Sequence, residues 1–63
     1  MWIETNANEL INLDKVSYIS LVGKSIRFYF ELHFHDANID EDFGSEAEAL
    51  KRFHLYKALM LEF

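Results

Sequence analysis

The chain has no cysteine, no proline and only two glycines, Gly23 and Gly44. Without cysteine there is no disulfide framework, no thiolate nucleophile and no zinc-thiolate site, so the usual staples of a small secreted domain are missing. A cytoplasmic location is the expectation. Two glycines are too few for a phosphate-cradling loop or a dinucleotide fingerprint. Bases are scarce too: six against eleven acids leave a net charge of −5, which argues against direct nucleic-acid binding and toward a basic protein surface or plain solubility. Long apolar runs are also absent. Uncharged stretches such as Leu10–Leu13 and the longest, Val16–Gly23, fall well short of the ~18 residues of a membrane span. Glu4, Asn6, Asn8 and Glu9 interrupt any leader-like run near the start, so neither a signal peptide nor a membrane partner is expected.

What is present is a short, greasy chain. Of its 63 residues 51% are apolar and 16% aromatic, too many for a disordered tail. One domain over residues 1–63 is expected, with a thin core, because a chain of about 60 residues hides only ~60% of its unfolded surface.

Hydrophobic periodicity places strands first and one helix last. Ile26, Phe28, Phe30, Leu32 and Phe34 alternate with Arg27, Tyr29, Glu31, His33 and His35, the pattern of a half-buried strand over 25–35 in an antiparallel sheet. Gly23 supplies a hairpin turn to an earlier strand. That strand belongs to a segment over 9–22 with a corner at Leu13-Asp14-Lys15 and a bulge near Tyr18, where the parity of Val16 and Tyr18 gives way to that of Ile19 and Leu21. Residues 2–5 form a first strand, turned by Thr5-Asn6-Ala7-Asn8. Asp36-Ala37-Asn38 turns the chain into an acidic edge strand over 39–43. Gly44-Ser45 and Glu48 make a capping box for a helix over 46–62, whose stripe Ala49, Leu50, Phe53, Tyr56, Met60 and Leu61 covers the sheet. The fold expected is α+β: a four-stranded antiparallel meander sheet with one C-terminal α-helix on its apolar face. Phe28, Phe30, Phe34, Phe53 and Leu50 are the expected core.

Three surfaces compete for function. Leu55, Ala58 and Leu59 lie opposite the stripe and suggest an interface, since self-association is a common remedy for an undersized core; ordinary residual apolar surface is the plainer explanation. Asp36, Asp40, Glu41, Asp42, Glu46 and Glu48 form a run without a base, which steers toward a basic partner or mimics phosphates in a groove that holds nucleic acid. The plainer role is a charged edge that discourages strand pairing. The open sheet face of Arg27, Tyr29, Glu31, His33 and His35 is the third. His33 and His35 have the spacing of strand-borne metal ligands, but they belong to the wet face, away from His54, and serve better as ordinary polar residues. The run from Asp36 begins like a calcium loop and then fails, with Glu41 at the glycine position and Ala47 at the final glutamate. No metal and no cofactor are expected. Ser17, Ser20, Ser25 and Ser45 lie in no nucleophile motif, and a chain this short hardly encloses a substrate pocket, so no enzymatic activity is expected.

Asn12-Leu13-Asp14-Lys15-Val16 followed by Ile19, and Phe43-Gly44-Ser45-Glu46-Ala47-Glu48-Ala49 near the end, give the chain a resemblance to small uncharacterised bacterial and phage proteins. These have a strand-rich body, an N-L-D-x-V-x-x-I corner and a capped C-terminal helix. The resemblance covers most of the chain and implies the fold without an activity. The corner also looks somewhat like the strand opening of LytTR-type DNA-binding domains, which are longer and basic where this chain is acidic. The sequence thus points to a small acidic protein-binding module that self-associates as a homo-oligomer. A phage-type inhibitor with an acidic, nucleic-acid-mimicking corner, and a small-ligand or metal binder with a site between subunits, are the alternatives.

Overall fold

A computed structural model describes residues 1–31 and 36–61. Strands β1 (Trp2–Glu4) and β2 (Leu10–Asn12) pair antiparallel, with Ile3 opposite Ile11. Their loop is held from within. The Thr5 N–H donates to the Glu9 carbonyl at 2.8 Å, and the Thr5 hydroxyl accepts from the N–H groups of Ala7 and Glu9 at 3.3 Å each. Asn8 takes the left-handed conformation, φ 61°, which asparagine tolerates better than most residues.

The expected corner at Leu13–Lys15 is one turn of 3₁₀ helix, capped by the Asn12 side chain, which accepts from the Asp14 N–H at 3.1 Å. This turn corrects the expectation of a single four-stranded meander. The first hairpin stays a two-stranded sheet, while β3 (Val16–Val22), β4 (Ser25–Glu31) and β5 (Asp36–Asp42) form a separate three-stranded antiparallel sheet in that order. The physical reason lies at the corner: a 3₁₀ turn closes its hydrogen bonds locally and redirects the chain, so the ladder does not continue from β2 into β3.

Within the larger sheet the register of β3 against β4 slips between Val16 and Tyr18, at the expected bulge. Gly23 has φ 60° at the first of the two hairpin positions between Val22 and Ser25, as a type II′ turn requires. The last strand begins earlier than the sequence suggests. Asp36, Ala37 and Asn38 are paired with Glu31, Phe30 and Tyr29 instead of turning, because each added residue extends the ladder. Residues 32–35, the side chains of Glu31 and Asp36, and the expected core residue Phe34 lie outside the described part of the chain.

Helix α1 (Glu46–Leu61) starts where the capping signal places it. The Ser45 hydroxyl accepts from the Glu48 N–H at 3.2 Å, and the Glu48 carboxylate reaches back to the Gly44 N–H at 3.4 Å. Its buried face is turned from the expected stripe. Ala49 and Tyr56 are buried and Phe53, Leu59 and Met60 pack against the core, whereas Leu50 is 43% exposed and Leu61 75%. Leu50 is therefore not a core residue. The helix is rotated by Tyr56, whose ring lies tilted against Phe28 with centroids 5.5 Å apart and whose hydroxyl needs a buried acceptor. Ile11, Leu13, Ile26, Phe28 and Tyr56 make up the core, drawn from both sheets and the helix. Among the described residues, no helix is long and apolar enough to cross a membrane.

Candidate binding surfaces

Strand β5 alternates as strictly as β4. Ile39 and Glu41 face the helix, opposite Phe28 and Ile26, while Asn38, Asp40 and Asp42 face outward. Glu41 is 1% exposed and does not belong to an acidic surface. A buried carboxylate needs donors, and each of its oxygens has one. Tyr56 donates its hydroxyl to Oε1 at 2.8 Å, the Asn6 N–H donates to Oε2 at 2.7 Å, and the Arg52 guanidinium stands 3.9 Å from Oε2. Arg52 in turn donates to the Tyr56 hydroxyl at 3.2 Å. Hairpin loop, sheet and helix thus meet on one side chain.

The same contacts set the protonation of the cluster. Burial, reinforced by the Glu41 carboxylate, pushes the Tyr56 phenol up to about 12, and the Tyr56 hydroxyl holds the Arg52 guanidinium above its usual value. A phenol whose pKa is raised on folding stabilises the fold fully below about 10 and loses that contribution as pH rises through about 12. Ultraviolet titration is therefore expected to show the Tyr56 phenol ionising only as pH approaches about 12, together with alkaline unfolding in that window. Ionisation of Tyr56 near 10 with the fold intact would contradict the buried contact.

The other acids are spread out. Asp40 forms a two-point contact with Arg27 at 2.7 and 3.2 Å; this contact holds the Arg27 guanidinium above its usual value and the Asp40 carboxyl below its own. Asp42 accepts from the Ser25 hydroxyl, Glu48 is turned to the helix cap and Glu46 is exposed. The outer helix patch is divided as well. Leu55 is 51% exposed and lines a 520 Å³ cleft with Phe43, Lys51 and Arg52, and Ala58 is exposed. Leu59, half-buried, packs on the core, because the helix is rotated to bring it there. Leu55 and Ala58 thus stand in the open while Leu59 is shared between that face and the core.

On the open sheet face Arg27 and Tyr29 stand where expected, and the Tyr29 ring stacks on Tyr18 with centroids 4.1 Å apart. His33 and His35, with the Glu31 side chain, lie outside the described residues. His54 is exposed on α1, and among the described residues no three His, Asp or Glu side chains gather as metal ligands would.

The sequence marks the acidic β5 edge but not the β3 edge. The Phe43 N–H donates to the Lys24 carbonyl at 2.9 Å, continuing the ladder in which Ile26 faces Glu41 and Phe28 faces Ile39. By antiparallel alternation, the backbone groups of Ser25, Arg27 and Tyr29 then turn toward β3, where Val22, Ser20 and Tyr18 meet them. Ile19 and Leu21 are left with their N–H and C=O groups pointing away from the sheet.

The two outer edges of the sheet differ in kind. The β5 edge carries Asp40 and Asp42, and the Asp42 carbonyl accepts from the Asn6 side-chain amide at 2.6 Å, so the hairpin loop covers its end. The β3 edge has no such cover among the described residues. It bears no charge from Val16 to Val22, and none of the eleven acids lies between Lys15 and Phe30. Beside it runs a 360 Å³ groove walled by Tyr18, Ile19, Phe53, Lys57, Met60 and Leu61. An uncharged edge strand is a template for another strand, and absence of charge over seven consecutive residues is the signal by which it could have been found.

Comparison with known proteins finds no matching family model, no matching curated protein and no matching solved structure.

Proposed function

We propose that the protein is a non-catalytic protein-binding module that takes up an extended strand along the outer edge of β3, with the groove of α1 receiving that strand's side chains. The contrast between the two sheet edges carries this reading. Proteins ordinarily blunt an edge with charge or cover it; β5 is treated in both ways, and β3 is uncharged along its whole length. Recognition of this kind takes affinity from main-chain hydrogen bonds and specificity from alternate side chains. The acidic corner supports partner binding less well, since Asp40, Glu41 and Asp42 are each engaged within the chain.

A synthetic peptide of residues 15–24, titrated into dilute isotope-labelled protein, tests the proposal. Amide shift changes are expected at Ile19 and Leu21 and along Phe53, Met60 and Leu61. Changes confined to the cleft at Phe43 and Leu55, or none at a large excess of peptide, would overturn it.

A further inference from the structure

We infer that the strand taken up is β3 of a second copy, paired antiparallel about a two-fold axis through Ser20. The inference rests on the edge-binding reading and adds the partner and the register. Because Ile19 and Leu21 present the free backbone groups, the two-fold pairing that engages both within the regular part of the strand joins Ile19 to Leu21 of the second copy and Leu21 to its Ile19, with Ser20 facing Ser20. This register makes four main-chain hydrogen bonds. It also decides which side chains meet.

On the open face, Tyr18 of one copy falls opposite Val22 of the other, twice over. These are the exposed large apolar residues of β3, at 56% and 44%. The strand is self-complementary in this register, since its two exposed apolar residues become one another's cross-strand neighbours. On the inner face, Ile19 meets Leu21 beside the groove that contains Leu61, itself 75% exposed. The bulge between Val16 and Tyr18 marks where pairing ends.

Charge favours the same arrangement. A chain of net charge −5 opposes its own association in general. The stretch from Lys15 to Phe30, with Lys15, Lys24 and Arg27 and no acid, is where two copies approach with the least acid–acid repulsion. The product is a continuous six-stranded sheet, β5-β4-β3-β3-β4-β5, with both helices on one face and the acidic β5 edges outermost.

The register gives a test that a merely sticky surface would not pass. Light scattering across a dilution series is expected to give twice the 7.5 kDa chain mass. Tyr18→Lys with Val22→Lys sets like charges opposite each other at both pairs and is expected to weaken the dimer at least about tenfold. Tyr18→Lys with Val22→Glu sets opposite charges there and is expected to restore it. Circular dichroism checks that both variants fold, and both positions are exposed. Equal behaviour of the two double variants, or a monomer throughout, would overturn the inference. A monomer that still binds the 15–24 peptide leaves the edge-binding reading standing, whereas a dimer indifferent to both variants, with no peptide binding, sinks the two together.

Discussion

Replacing Glu41 by alanine is expected to cost about 3 kcal/mol, because it strips the acceptor from the buried Tyr56 hydroxyl and the part-buried Asn6 N–H and leaves Arg52 facing an empty site. A domain of 63 residues has roughly 3–9 kcal/mol in all, at ~0.05–0.15 kcal/mol per residue. Between about a third and all of that would be lost. The size of the effect comes from topology: Glu41 links the Asn6 loop, β5 and the helix through the contacts at 2.7 and 2.8 Å. Glu41→Gln keeps the shape and one acceptor but turns an amide N–H₂ toward a donor, so a smaller loss of about 1–2 kcal/mol is expected. Urea denaturation of both variants measures it. A Glu41→Ala midpoint close to that of the parent would mean that the three parts of the fold are held together without this carboxylate.

Truncating Tyr56 is expected to cost about 3–5 kcal/mol, the range for a large aromatic removed from a core. Leu50→Ala is expected to change stability by less than about 1 kcal/mol. The pair tests the rotation of the helix, because Tyr56 is 2% exposed and packs on Phe28, whereas Leu50 is 43% exposed. A simple apolar-stripe reading gives the two residues equal weight. Comparable losses at both positions would restore that reading and contradict the observed packing.

These residues also show how far the sequence could be read. Alternation in 26–30, the phase change near Tyr18, the glycine at 23 and the Ser45–Glu48 cap are local signals, and the strands, bulge, turn and helix start they imply all form. Whether one sheet or two results depends on whether a ladder continues through Leu13–Lys15, a non-local pairing that no local pattern encodes. Helix rotation was illegible for a related reason. Leucine and tyrosine score alike on a hydrophobic stripe, and only the position of a buried acceptor separates them. That acceptor was within reach: Glu41 has the parity of Ile39, which faces the core, but six carboxylates in thirteen residues read more readily as a solvated cluster. The candidate surface moved from the outer helix to β3 because edge exposure follows from strand order, whereas its lack of charge could be seen in the sequence all along.

Hydrogen exchange at individual backbone amides of β3, followed from dilute to concentrated solution, tests the binding edge most directly. Tyr18, Ser20 and Val22 face β4 and should be protected at every concentration. Ile19 and Leu21 should exchange fast when dilute and slow markedly as the concentration rises. Fast exchange at Ile19 and Leu21 even in concentrated solution, beside protected neighbours, would mean that no second copy covers the edge.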